Sequence, residues 1–356
     1  MVINLDLKNL SNLEGPILVT GHTGFKGTWL TFLLEELGLS VIGISKEPLK
    51  DSLYELANRK AKIPEIYSDL CEIDYVENFI REQKPSVIFH LAAQALVLES
   101  YKNPVETFKT NVMGTVNILD IAYRTDFVKS IVISTTDKVY ENLDTGKLFV
   151  ETDALKGKDP YSASKVGTEA VISAWQQIRR IHGGPQITAV RAGNVIGGGD
   201  LAENRLMPDI ARGLKKGTKV EIRNSASTRP WQHVLDPLVG YVLASESHFM
   251  DKEIDSINFG PNEKSISVKE VCEIVSKITD DKINFEFSEV KTKNKSQQES
   301  ILLDLDSTKA QRELGWRPNW SQKEAIADTI KWWQGVLDNS VDPREACLGD
   351  IRKLIA

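Results

Sequence analysis

Apolar residues in the first half of the chain cluster into short, nearly unbroken runs. Ile17-Leu18-Val19, Val41-Ile42-Gly43-Ile44, Val87-Ile88-Phe89-His90-Leu91-Ala92-Ala93, Ile131-Val132-Ile133 and Ile187-Thr188-Ala189-Val190 are of this kind. A strand buried on both faces of a parallel sheet reads this way, because neither face meets water. Ile66-Tyr67-Ser68-Asp69-Leu70 predicts the end of a further strand. Between the runs, apolar residues recur at helical spacing over Thr28–Leu37 and 104–125. Another helix opens at Asp159-Pro160, a capping acid followed by proline at the first position, and Gly183 lies beyond its end. Residues 4–14 predict a short polar helix.

After about residue 200 short helices alternate with loops. Val220-Glu221-Ile222-Arg223 and Ile283-Asn284-Phe285-Glu286-Phe287 alternate as strands do. Residues 234–249, 266–278 and 321–337 predict helices, Ile257-Asn258-Phe259 one more sheet strand, and the lysine-rich stretch 288–300 a mobile loop. The pattern predicts an α/β fold class: a Rossmann-type, doubly wound parallel sheet with a smaller C-terminal α/β lobe. The expected division gives residues 1–190, joined by about 231–262, to the dinucleotide-binding domain. Residues 191–230 and 263–356 go to the lobe.

Composition narrows the function classes. The chain has 356 residues, 41% apolar and 26% charged, as globular proteins do. A net charge of −6 disfavours broad binding to nucleic acid, so an anionic ligand must be met by local cations or backbone N–H groups. Cys71, Cys272 and Cys347 show no metal-cluster spacing and point to a reducing compartment. No apolar run is long enough to cross a bilayer, and the first residues lack a signal-peptide pattern. A soluble, cytoplasmic protein is expected.

The candidate chemistry begins at Gly21-His22-Thr23-Gly24-Phe25-Lys26-Gly27, between a strand and a helix. Glycines there let the backbone approach a diphosphate, and N–H groups at the helix start point at the anion. The second strand ends at Ser45-Lys46, where an acid often holds a ribose hydroxyl, so NAD and NADP are not distinguished. Asp69 either reaches an adenine amine or is an exposed strand-end acid. His90 reads as a hydrogen-bonded core residue. Asn111, mid-helix, either faces solvent or bonds across the fold. Another strand ends in Thr135-Thr136-Asp137-Lys138, and carboxyl ends of such strands are where ligands sit. Tyr161 and Lys165 share a helix face at i, i+4. An ammonium there can favour the phenolate and bring the tyrosine towards neutral, making it a base for a substrate hydroxyl; an ordinary pair on an exposed helix face is the other reading.

In order and separation these features resemble the extended short-chain dehydrogenase/reductase family. Longer stretches resemble its CDP-glucose 4,6-dehydratase subgroup: Val19–Gly27, Asp137–Asn142, Asp159–Lys165, Arg191–Asp200, Arg229–Val234 and Leu314–Pro318. The resemblance implies NAD as cofactor, held by Gly21–Gly27, Asp69, Leu70, Leu91, Ala92, Ala93, Gln94, Asn111, Tyr161 and Lys165. It implies a catalytic set of Thr136, Asp137, Lys138, Tyr161 and Lys165. Oxidation at C4 of the sugar acidifies C5–H. Asp137 then protonates the leaving C6 hydroxyl, and Lys138 is either the C5 base or a cation that stabilises the enolate. Asn194, Asn204, Arg205, Leu206, Arg223, Arg229 and His233 would meet a nucleotide-diphosphate sugar; for Arg223 a surface salt bridge is the other reading. The implied protein is a homodimer, paired through the helices at 104–125 and 161–181, and supplies deoxysugars for surface polysaccharide. His22 and Lys26 are bulky for such a loop, so partial loss of NAD on purification is expected. Departures from the subgroup pattern occur at Leu98, Leu201, Asn204 and Gln298-Glu299. A same-fold epimerase or reductase, which needs no acid at Asp137, and a non-catalytic dinucleotide sensor are the alternatives.

Overall fold

The computed structural model describes residues 7–203, 205–222, 224–250, 252–287 and 303–355. Seven strands build one sheet: β1 (Ile17–Thr20), β2 (Val41–Ser45), β3 (Glu65–Tyr67), β4 (Val87–His90), β5 (Ser130–Ser134), β6 (Gln186–Ala192) and β7 (Ser256–Phe259). They lie in the order β7-β6-β5-β4-β1-β2-β3, and every neighbouring pair is parallel. The order reverses between β1 and β4. Connections leave these two strands in opposite directions, so a crevice opens above their carboxyl ends.

Side-chain alternation explains the unbroken apolar runs. Leu18, Ile42, Ile88, Ile131 and Ile133 pack on one face with Ile80, Ile118, Ile121 and Ile172. Ile17, Val19, Val41, Phe89 and Val132 pack on the other with Trp29, Leu33, Leu238, Val242 and Ile351. The helix Phe25–Glu36 is buried from Gly27 to Leu34. It lies between the sheet and the C-terminal helix Pro343–Ile355, whose Arg352 reaches Glu36 at 3.0 Å. A third core, with Met207, Ile210, Val220, Ile222, Trp231, Val271, Val275, Ile326 and Ile330, builds the smaller lobe. There Phe285–Phe287 pairs in parallel with Val220–Ile222.

Two elements differ from expectation. Residues 104–125 form Pro104–Phe108 and Gly114–Tyr123, joined by a π turn at Lys109–Met113. The turn frees the Asn111 carbonyl to accept the hydroxyls of Thr115 at 2.7 Å and Thr168 at 2.9 Å. Near the N-terminus, the described residues hold a single turn, Leu10–Asn12. The Asn9 and Leu10 N–H groups donate to the Glu246 carboxylate, each at 2.9 Å, instead of continuing a helix. The stretch 288–300 lies outside the described residues. No described helix is long and apolar enough to cross a membrane.

Gly198 joins sheet and lobe. Its carbonyl accepts Trp29 Nε1 at 3.0 Å, and a Cβ there would fall 1.9 Å from the Trp332 ring. A buried indole cannot yield that much space. Gly198→Ala is expected to cost at least about 2 kcal/mol of unfolding free energy, within the range for overpacked cores. Urea titration of variant and parent checks it.

Candidate active site

The loop after β1 is shaped by contacts a side chain would block. Gly21 has φ +75°, and a Cβ on it would lie 2.8 Å from the Ala92 backbone. A Cβ on Gly27 would lie 2.1 Å from the Gly21 carbonyl oxygen. Gly24 is different: a Cβ there would meet only that carbonyl, at 3.2 Å, so the space before it is open. Gly24 also caps the helix Phe25–Glu36 without a side-chain hydrogen bond, which leaves the first-turn N–H groups facing outward. An open cradle at an uncapped helix start, above the strand-order reversal, fits a dinucleotide diphosphate.

The end of β5 lies across the crevice. Thr136 Oγ1 donates to Asp137 Oδ1 at 3.0 Å, and the Lys138 N–H donates back to Thr136 Oγ1 at 3.3 Å, closing a tight turn. The helix Pro160–His182 enters beside it. Asp159 accepts the Ser162 N–H at 2.9 Å while Ser162 Oγ accepts the Asp159 N–H at 3.0 Å, a reciprocal cap that sets the helix start. Tyr161 lies in the first turn, with Thr136 near enough for its hydroxyl to favour the ionised phenol. One turn on, Lys165 Nζ donates to the Ser134 carbonyl at 2.9 Å. Burial raises the Asp137 carboxyl above its ordinary range, although Lys138, Thr136, Arg229 and Lys26 all oppose this. Such a carboxyl can donate a proton.

The Tyr161 phenol departs from expectation. Burial pushes it up to about 12, against the influence of the Thr136 hydroxyl. Burial lowers Lys165 itself to about 8; Lys26 adds to this and Glu169 opposes it.

The family model for GDP-mannose 4,6 dehydratase matches residues 18–329. The chain belongs to that family. It is 38% identical over 326 residues to a CDP-glucose 4,6-dehydratase of Salmonella typhimurium, covering 89% of each chain. A Thermus thermophilus UDP-glucose 4-epimerase, solved with NAD, superposes with a TM-score of 0.76 at 25% identity, covering 90% of this chain and 99% of that one. A dTDP-glucose 4,6-dehydratase of Bacillus anthracis, also solved with NAD, gives 0.74 at 20% identity, with 90% and 96% covered. The protein thus has the extended short-chain dehydrogenase/reductase fold and is a sugar-nucleotide 4,6-dehydratase, a hydro-lyase.

The remaining expected residues of this dehydratase divide into those at the crevice and those away from it. Asp137, Lys138, Asn194 and Arg229 line one cavity, together with Asn142, Lys158 and Ser162. Arg205 pairs with Asp200 at 3.3 Å, ahead of the helix that begins at Leu206. Lys26 does not stay at the loop. Its ammonium lies 3.4 Å from the Tyr241 hydroxyl, which is 3.3 Å from Ser134 Oγ. Thr23 Oγ1 bonds Ser45 Oγ at 2.7 Å and joins the loop to β2. Leu91 to Gln94 form the half-buried loop after β4, and Leu70 is buried below. Asn111 bonds across the fold. It accepts the Gln94 N–H at 2.8 Å and donates to Gln94 O at 3.0 Å and Ser164 Oγ at 2.8 Å. Its amide is used in bracing the loop against the Tyr161 helix.

The two expected histidines are turned into the core, and Asp69 lies just past the carboxyl end of β3. The His22 ring turns down onto Gly43, where an added Cβ would lie 2.5 Å from it, and Nε2 reaches Glu65 at 2.7 Å. The ring therefore does not crowd the cradle. Burial holds His22 below its usual pKa despite Glu65. His233 is fully buried, stacked on Trp320 at 4.3 Å. Asp69 pairs with Lys46 at 2.9 Å and accepts the Cys71 N–H at 2.9 Å. His90 sits in the core between Thr20 at 2.8 Å and Thr115 at 3.0 Å, and burial lowers it to about 3. Leu98 is 43% exposed and Leu201 half-buried. Asn204, Arg223 and Gln298-Glu299 lie outside the described residues.

Sequence reasoning missed Tyr241, which sits among Lys26, Ser134 and the sheet. It is one apolar-face position of the helix Leu235–His248, and no local signal separates it from core. It also missed Lys158 beside the Asp159 cap. The cradle geometry yields a contrast. Gly24→Val fills the open space and is expected to weaken NAD+ binding by about a hundredfold or more, as loss of close diphosphate contacts would. His22→Ala is expected to change binding by less than about threefold. Isothermal calorimetry on both variants checks this; a larger loss in His22→Ala reverses the assignment.

Proposed function

We propose that this dehydratase converts CDP-glucose to CDP-4-dehydro-6-deoxyglucose with NAD. The 38% identity to a CDP-glucose enzyme supports the nucleotide and sugar. The observation that carries the elimination step is the buried Asp137, raised above the ordinary carboxyl range beside Tyr161 and Lys138. A protonated acid is what departure of a C6 hydroxyl needs.

Bound NAD supplies a hydride acceptor and later donor, and its cationic ring favours a nearby phenolate. Tyr161 takes the C4 hydroxyl proton, with the Thr136 hydroxyl nearby. Lys165 adds positive charge one turn away. The C4 ketone acidifies C5–H, and Lys138 either removes that proton or holds the enolate as a cation. Asp137 gives its proton to the C6 hydroxyl as it departs. Arg229 and Arg205 meet the diphosphate, for which a guanidinium is well shaped, and Asn194 orients the sugar side of the cavity.

The protein works in the cytoplasm as a homodimer and feeds deoxysugars into surface polysaccharide. Support for the dimer is the apolar surface along the helices at 97–123. Val105 is 81% exposed, and Leu98, Tyr101, Phe108 and Met113 are also exposed. Light scattering is expected to show a dimer, and Val105→Glu to shift it towards monomer.

Incubation with CDP-, dTDP-, UDP- and GDP-glucose plus NAD+ tests substrate choice, with product read as loss of one water by mass. Deuterium at C4 is expected to reappear at C6. Asp137→Asn is expected to lower kcat about a hundredfold or more, the usual scale for a lost general acid. An unmodified rate in that variant would show that elimination is not the reaction. The pH profile follows from the same groups. Asp137 works protonated and Lys165 works charged, so both lose function as pH rises through their folded pKa values. The expected profile of kcat falls on the alkaline side, with Lys165 contributing near 8.

A further inference from the structure

We infer that Glu169 and Arg191 are positioning residues that hold the two catalytic segments in register. The inference rests on the dehydratase reading and adds to it two residues outside the reacting set. Thr136, Asp137 and Lys138 all lie within Thr135–Tyr140, and both ends of that segment are tied to one buried ion pair. At its start, Thr135 Oγ1 donates to Glu169 Oε1 at 2.6 Å. At its end, Arg191 Nη1 donates to the Tyr140 hydroxyl at 2.8 Å, and the guanidinium lies 5.1 Å from the centre of that ring. Between the ends, Arg191 Nε and Nη2 donate to the two Glu169 oxygens, each at 2.8 Å.

The pair also reaches the other catalytic segment. Glu169 follows Lys165 and Tyr161 at i+4 and i+8, on one face of the helix Pro160–His182. Arg191 comes from β6 and donates again to the Glu151 carbonyl at 3.0 Å. The Tyr140 hydroxyl donates onward to Asn258 of β7 at 2.7 Å. Strand end, helix and two sheet strands thus meet at a single bidentate contact.

Stability does not explain the pair. Its side chains are 5% and 6% exposed, and a buried ion pair is worth no more than a packed apolar pair of the same volume. An apolar pair, however, has no direction and lets the segment slide. A bidentate guanidinium–carboxylate pair fixes distance and orientation at once. Asp137 must face the C6 oxygen while Tyr161 faces the C4 oxygen, so a shared anchor serves the reaction. Glu169 also helps Lys165 keep its proton.

Thr135→Val and Tyr140→Phe each remove one tie to the ion pair and no charge; Tyr140→Phe also removes the bond to Asn258. Each is expected to lower kcat about tenfold, roughly one hydrogen bond's worth of transition-state alignment, with KM for CDP-glucose within about twofold. Amide exchange over residues 135–140 is expected to quicken about tenfold in both, with the rest of the chain unchanged. The paired replacement Glu169→Gln with Arg191→Met leaves no lone buried charge. It is expected to lower kcat at least about a hundredfold. It is also expected to move the alkaline limb of the pH profile to lower pH, because Lys165 loses its carboxylate neighbour. If the paired variant does not fold, the two single-tie variants decide. Wild-type kcat in both single-tie variants, or unchanged exchange at 135–140, overturns the inference. Quickened exchange in a protein that dehydrates no nucleotide glucose keeps the anchor and rejects the dehydratase reading.

Discussion

Charge buried above the carboxyl edge of the sheet governs this molecule. Asp137, Lys165, Glu169 and Arg191 are each at most 6% exposed. Water screens none of them well, so each group is set by its nearest neighbours. The result is a carboxyl raised above its ordinary range, a lysine brought down to about 8, and an ion pair with fixed direction. The same burial raises the Tyr161 phenol to about 12. Positive charge brought beside the phenol would favour its ionised form.

The fold creates the burial by ordinary means. Helices cover both faces of the parallel sheet, and the smaller lobe closes over one end. Gly198 lets Trp332 of the helix Gln322–Leu337 lie against the chain that leaves β6. The crevice that remains follows from strand order alone. At its β1 side is an open glycine cradle; at its β5 side is a tight turn bearing polar groups. Lys26 spans the two. It leaves the cradle and reaches Tyr241 beside Ser134, whose carbonyl holds Lys165. The residue that separates this glycine loop from a neutral one therefore acts on the charge balance at the end of β5.

Local chemistry is legible in the order of residues alone. The unbroken apolar runs, the glycine loop between strand and helix, the Asp159-Pro160 start and the i, i+4 pair of Tyr161 and Lys165 depend on neighbours within a few residues. Such features need only backbone geometry and hydrophobic burial to be interpreted. Side-chain direction is not legible in the same way. His22, His233 and Asn111 stand in motif stretches, yet His22 turns onto Gly43, His233 stacks on Trp320, and Asn111 braces Gln94.

The sequence by itself determined the class of the fold, the place of the crevice and the identity of the groups around Tyr161, because periodicity, turn chemistry and helical spacing are short-range properties. Only the tertiary structure decided which way each polar side chain points and which protonation state burial favours. The Glu169–Arg191 anchor joins positions 22 residues apart, on a helix and a strand, and no local pattern marks it. Orientation and desolvation depend on atoms brought in from distant parts of the chain, and those atoms have no address until the chain has packed.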